Sequence, residues 1–443
     1  MKIAVMSSSL QDTASHAVEL ARSLGADQAE VSVSYNEGLS VTVRLGELES
    51  VERQRDRGLG VTVYTDGRKG SASTSDFSSK AVQEVVAKAA SISRFTSRDK
   101  FAGLAEADLM AATPSDLDLY HPWDLDVEAA EALALRSENA ARGLDARIKN
   151  SEGATVSTEG GFRMYANSHG FCNGYATTSH SISCSVVADN NDSLERDYWY
   201  TVSRFPDGLD TPEQVGERAA ERTLGRLGAR QLTTQVMPVL FPADLARGLF
   251  GHLIAAIRGS AQYQRASFLL NARGEQLFPE FVDIEEDPLI PRGLASAAFD
   301  TEGVGTNRRM LVERGVLKGY VLSSYSARRL GEPTTANAGG VHNLVVEPTI
   351  NEINDLITDA GKVFVVRELL GQGVNIVTGD YSRGAAGFWM KDGEIQYPVN
   401  EVTIAGNLRE LFQGIQAIGA DIDFRGTVRC GSVLVEGLTV AGQ

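Results

Sequence analysis

Residues 30–64 read EVSVSYNEGLSVTVRLGELESVERQRDRGLGVTVY, and this stretch decides the fold class. Val31, Val33 and Tyr35 alternate with polar residues, as do Leu39, Val41 and Val43, and again Leu59, Val61 and Val63. A period of two puts one set of side chains on a buried face and the other in water, which is the pattern of a half-buried strand. Asn36-Glu37-Gly38, Gly46-Glu47, Gly58 and Asp66-Gly67 punctuate the pattern with turn residues. The expectation is a meander of five short antiparallel strands, at 30–35, 39–45, 49–57, 59–64 and 69–75. Arg53, Arg55 and Arg57 fall on one face of the third. They read as a solvated strand face with carboxylates nearby rather than a phosphate-binding stripe.

Outward from the meander, residues 14–24 carry Ala17, Val18, Leu20, Ala21 and Leu24 at helical spacing and stop at Gly25. The same order then recurs. A helix at 80–91 is followed by an alanine-rich helix at 127–141 and by strands at 148–152, 154–159, 162–167, 171–187 and 197–204. This predicts a degenerate internal duplication of a helix-plus-meander unit. Thr211-Pro212-Glu213-Gln214 is a capping box opening a helix that runs to Leu227 and ends at Gly228. A domain boundary is placed there, giving an N-terminal domain 1–228 and a C-terminal domain 229–443. The second half predicts strands at 236–241, 314–322, 362–367 and 373–378 and helices at 244–258 and 407–418. No regular βαβ rhythm is present, so the fold class is α+β, with an antiparallel-sheet-rich C-terminal domain.

The 443 residues, 42% of them hydrophobic, suffice for two or three cored domains. A net charge of −16 repels phosphate backbones and argues against nucleic acid as a partner. No apolar run approaches the ~20 residues needed to cross a bilayer, and the N-terminal apolar run is too short for an export signal. The three cysteines, Cys172, Cys184 and Cys430, form no C-x-x-C pair, which fits a reducing, cytoplasmic setting.

A helical zinc protease needs two histidines one turn apart with a glutamate beside the first. The helix at 244–258 offers His252 alone, with glycine or alanine where a second ligand would stand, so His252 reads as a packing residue. His342, in Gly339-Gly340-Val341-His342-Asn343, is the most suggestive of the others, because flanking glycines let a ligand approach closely. No nucleophile elbow, phosphate loop or complete dinucleotide fingerprint occurs. Glu285-Glu286-Asp287 reads as a solvated carboxylate run and Cys430 as a buried, inert thiol. The stretch 371–390, with β-branched residues between glycines, is a candidate strand beside which an extended peptide could add.

Several runs are specific as a set. They are 267–270 (SFLL), 292–296 (RGLAS), 299–304 (FDTEGV), 324–328 (SYSAR), 339–343 (GGVHN), 371–375 (GQGVN), 378–389 (TGDYSRGAAGFW), 401–408 (EVTIAGNL) and the closing 441–443 (AGQ). Together they resemble the PmbA (TldE) branch of the TldD/PmbA family, closely over 235–443 and more loosely before. The resemblance implies a cytoplasmic two-domain subunit that pairs with a TldD-like partner to form a zinc peptidase acting on unfolded peptides, by removing leader segments or degrading antitoxins. It implies that zinc belongs to the partner, whose H-E-x-x-x-H helix aligns near 249–257 here, and that this chain has no metal or catalytic residue of its own. It is expected to be active only with that partner and to self-associate in its absence. The candidate degenerate-site or peptide-contact positions are His252, His342, Asp380, Tyr381, Arg383, Phe388 and Cys430. The alternative carried by the family is a non-proteolytic regulator of the gyrase-modulator type.

Overall fold

In a computed structural model, which describes residues 2–112, 115–191 and 193–442, the N-terminal half is built on strands far longer than the punctuation predicts. Helix α1 (Lys2–Ser23) leads into β1 (Gln28–Arg44), β2 (Glu47–Thr65), β3 (Arg68–Thr74) and α2 (Ser79–Phe95). Then α3 (Val127–Leu144) leads into β4 (Ile148–Asn167), β5 (Cys172–Asp189), β6 (Leu194–Ser203) and α4 (Pro212–Leu224). The predicted pairs of short strands at 30–45 and 49–64, and the three at 148–167, are each one strand. Asn36-Glu37-Gly38 makes no turn, because it pairs with residues 54–56 on one side and 159–161 on the other. Hydrogen bonds on both edges outweigh the poor strand propensity of these residues. Gly38 and Gly161 permit close approach instead: a Cβ on Gly161 would lie 2.1 Å from the Asn36 Oδ1.

The helix-meander-helix order occurs twice, and the first strands of the two copies pair antiparallel at the centre of one six-stranded sheet, β3-β2-β1-β4-β5-β6. Val31, Val33, Val41 and Val43 share parity and are all buried, so the helices cover one face. Helices α1 and α2 pack on Val31, Val33, Val61 and Val63, and α3 and α4 on Val41, Val43, Val156 and Val186. The opposite face is a polar ladder in which Ser40 meets Ser157 and Thr42 meets Thr155, each at 2.9 Å. The capping box at Thr211 forms as predicted, with both reciprocal bonds. Mid-strand residues of β1, β2, β4 and β5, with Tyr120 and Trp123, line a cavity of about 530 Å³. Arg53 and Arg55 line it, and Arg55 faces Glu37 at 3.8 Å, as a solvated charged strand face should.

The C-terminal half comprises β7 (Gln235–Phe241), α5 (Ala243–Ile257), α6 (Gly259–Tyr263), β8 (Ile284–Glu286), β9 (Arg309–Glu313), β10 (Val316–Leu317), α7 (Ser324–Leu330), β11 (Leu344–Val346), α8 (Ile353–Asp359), β12 (Lys362–Leu370), β13 (Asp380–Lys391), β14 (Glu394–Asn407), α9 (Leu408–Gln413), β15 (Ile415–Ile418), β16 (Val428–Arg429) and β17 (Val433–Ala441). One sheet runs β14-β13-β12-β7-β17-β15, and a further β14–β17 pairing closes its first five strands on themselves. A smaller sheet, β10-β9-β8-β11-β16, stands beside it. Helix α5 lies between them in the largest core, through Leu249, Phe250, Leu253 and Ile257. The fold is α+β.

Three expectations here need correction. Residues 373–378 form a turn-rich loop with one bridge, Val374 to Tyr381, because Asn375 caps the backbone of Val377 and a Cβ on Gly373 would meet the Ser382 carbonyl at 1.8 Å. The strand predicted at 314–322 is broken by a turn at Arg314-Gly315, both with positive φ. The helix predicted at 407–418 ends at Gln413, and 415–418 join the sheet. Asn407 caps this helix, accepting from the Arg409 N–H at 3.0 Å.

Candidate functional site

Helix α5 is held by its apolar stripe, and this leaves His252 half-buried on the flank. Its ring meets Tyr381 of β13 edge-on at 6.0 Å between centroids. Burial, aided by the nearby Arg383 charge, pushes the imidazole pKa below its ordinary value, so the ring is neutral at pH 7. Tyr381 is fully buried, its hydroxyl has no partner among the described residues, and burial pushes its pKa up to about 12. Arg383 donates to the Leu369 carbonyl at 3.1 Å, while its Nε has no acceptor among the described residues. The fold thus brings His252, Tyr381 and Arg383 together from segments 130 residues apart.

The other candidates lie elsewhere. Asp380 is exposed in the turn before β13 and accepts from the Thr378 hydroxyl at 2.6 Å. Phe388 touches the C-terminal end of α4, where a Cβ on Gly225 would sit 3.3 Å from its ring. Cys430 is fully buried at the opposite end of α5, with its Sγ 3.9 Å from the Ala243 carbonyl, and burial pushes the thiol up to about 12. His342 binds Glu286 twice, through its backbone N–H at 2.8 Å and its Nδ1 at 3.3 Å.

A zinc centre would require deprotonated ligands converging on one point. His252 and Cys430 are separated by nine residues of α5, about 13 Å of helix. The thiol is held protonated, and among the described residues no three His, Cys, Asp or Glu side chains converge. These donors do not fit zinc. Strand addition beside β13 is also closed off, since β12 and β14 take both of its edges.

Sequence reasoning missed two polar clusters. Glu285-Glu286-Asp287 is no solvated run: Glu286 is buried and accepts from Arg309 at 2.8 Å and Asn337 at 2.6 Å. Burial would raise its pKa, but the His342 and Arg309 interactions outweigh that and hold it low. The second cluster gathers arginines at the junction of the two halves around Asp197, which is 5% exposed. Arg222 in the last turn of α4 and Arg226 just beyond its end were the available signal, four residues apart in the predicted helix 211–227, since a partly apolar helix face carrying two arginines must find them partners.

Sequence models of the PmbA/TldA metallopeptidases match three stretches: domain 1 at residues 29–93, the central domain at 120–227 and the C-terminal domain at 234–442. A protein described as metalloprotease PmbA from Escherichia coli O157:H7 is 47% identical over 434 residues, 98% of this chain and 96% of that one. The chain belongs to the PmbA branch of the PmbA/TldD metallopeptidase family. A PmbA homologue from Haemophilus influenzae is 45% identical over 98% of this chain and 96% of its own length. Among solved structures, a protein described as a modulator of DNA gyrase from Bacteroides thetaiotaomicron superposes with a TM-score of 0.92 at 27% identity, covering 98% of each chain. TldE from Thermococcus kodakarensis shares the fold, with a TM-score of 0.84 at 22% identity over 97% of this chain and 100% of that one. The PmbA-branch runs at 371–375 and 378–389 thus fall where the loop 371–379 meets β13, against His252. No helix among the described residues is long and apolar enough to cross a membrane.

Proposed function

We propose that this chain is the peptide-handling subunit of a cytoplasmic two-chain zinc peptidase, with the metal chemistry in a TldD-like partner. The observation that carries the reading is the setting of His252, a neutral imidazole packed on Tyr381 with Cys430 about 13 Å away along α5. A water-activating zinc needs three protein ligands and an open position. The substrate class is unfolded peptide, with leader segments and antitoxins as the instances that family membership suggests. A subunit without the metal contributes by enclosing the site and holding the chain near it, effects of positioning that reach several kcal/mol.

The test is cleavage of an unstructured peptide by each chain alone and by the mixture, with metal analysis of each. Cleavage by the mixture only, retained when His252 is replaced by alanine, is the expected result. Chelator-sensitive cleavage by this chain alone, free of partner by mass spectrometry, overturns the proposal.

A further inference from the structure

At the junction of the two halves, β6 and α4 on one side and α5 and β12 on the other enclose a cavity of about 200 Å³. Its wall carries six arginines, Arg196, Arg222, Arg226, Arg247, Arg367 and Arg425, against three carboxylates, Asp197, Asp244 and Glu368. In a chain of net charge −16, such a wall is not a consequence of composition.

Five of the arginines are engaged. Arg222 reaches Asp197 at 3.3 Å and Asp244 at 3.1 Å, and Arg226 reaches Glu195 at 3.3 Å and Glu368 at 2.7 Å. Arg425 grips Asp423 with both arms of its fork and lies 3.8 Å over the Trp199 ring. Arg247 donates to the Tyr200 hydroxyl at 3.0 Å, and Arg196 pairs with Glu152 at 3.1 Å.

Arg367 is different. Its side chain is 16% exposed and donates no hydrogen bond to any described residue; its buried Nε makes only an ion pair with the Asp197 Oδ2, 3.5 Å away. That oxygen is approached by Arg226 as well, and the Asp244 charge also acts on Arg367. Three guanidinia therefore share that single buried carboxylate. Burial, with Arg222 beside it, lowers the Arg367 pKa to about 10, so the pocket already disfavours its charge. The six arginines are matched by six carboxylates, Glu152, Glu195, Asp197, Asp244, Glu368 and Asp423, so what Arg367 lacks is hydrogen-bond acceptors for its fork rather than countercharge.

We propose that this cavity binds a small oxyanion, a carboxylate or a phosphate, whose oxygens are held by the free fork of Arg367. The planar guanidinium matches both groups bidentately. The volume, about seven waters' worth, admits a phosphate or the terminal carboxylate of a peptide. The half-exposed Arg196 and Tyr198 mark the mouth. Because both halves line the cavity, a bound anion ties them together and raises the stability of the whole chain. The site is independent of the peptidase reading.

The test is thermal unfolding of the full chain, at ionic strength matched with potassium chloride, with three probes: inorganic phosphate, an N-acetylated tetrapeptide acid and the same peptide as its C-terminal amide. A saturable rise in Tm with phosphate or the free acid, and none with the amide, is expected. A response to phosphate alone assigns the phosphate source, and a response to the acid assigns the peptide terminus. Arg367→Met should abolish the rise while leaving the ligand-free Tm equal to or above the parent's, since a mostly buried charge with no hydrogen bond has been removed and Asp197 keeps Arg222 and Arg226. Arg367→Lys, folded by circular dichroism, should weaken binding about tenfold through loss of the fork. The proposal is overturned if no probe gives a saturable rise beyond the chloride control. It is equally overturned if the rise survives in Arg367→Met, or if that variant lowers the ligand-free Tm.

Discussion

Glu138 offers the sharpest check on how the two N-terminal copies hold each other. It lies on α3 with 0% exposure, and its two carboxylate oxygens accept from the Leu45 and Gly46 N–H groups, each at 2.8 Å. Those residues are the two-residue turn between β1 and β2, with φ of +54° and +86°, the positive-φ pair of a type I′ hairpin. Leucine in that conformation costs roughly 1–2 kcal/mol, which the carboxylate offsets from the second copy. Two charge-assisted hydrogen bonds are worth about 1.5–3 kcal/mol each, less what water recovers at an exposed turn. Glu138→Ala should therefore destabilise the chain by about 3 kcal/mol. Glu138→Gln, which keeps one acceptor, should cost about half of that, and Leu45→Asn should stabilise by about 1 kcal/mol. Urea unfolding gives the magnitudes, and amide exchange at Leu45 and Gly46 gives the location. A loss under about 1 kcal/mol in Glu138→Ala, with unchanged exchange at both amides, would refute the reasoning.

Two further outcomes follow from buried polar groups. Asp300 is buried, and desolvation, with the charge of Glu302, pushes its pKa up to about 6, so folding favours its protonated form. The cost of its ionised form is absent below about pH 4, grows as pH rises to 6 and is constant above, a change of about 3 kcal/mol. The stability of the parent relative to Asp300→Asn should fall by that amount across this window in urea titrations, and parallel curves would show the carboxyl to be unperturbed. Tyr381→Phe, which removes a buried hydroxyl lacking a protein partner, should leave stability unchanged or raise it by about 1 kcal/mol. A drop of comparable size in thermal unfolding would mean that the hydroxyl is satisfied after all.

The sequence alone determined the fold class, the presence and order of the helices of the N-terminal half, though not that α1 begins at Lys2 or that α4 ends at Leu224, the repeated helix-meander order and the family. Each of these is written in local signals, such as the parity of Val31, Val33, Val41 and Val43, the capping box at Thr211 and the run at 378–389. It did not determine strand length. Asn36-Glu37-Gly38 is locally a turn, and only pairing on both edges makes it the middle of β1. The hairpin of β13 and β14 was hidden for a related reason: Gly384-Ala385-Ala386-Gly387 shows no alternation, because close packing there demands small residues on both faces. The seven candidate positions were legible as residues but not as a group. Only tertiary structure placed His252 against Tyr381 and Arg383 and set Cys430 at the far end of α5. It alone left Arg367 without a hydrogen bond among the described residues, because a charge's partners belong to other segments of the chain and local sequence carries no record of them.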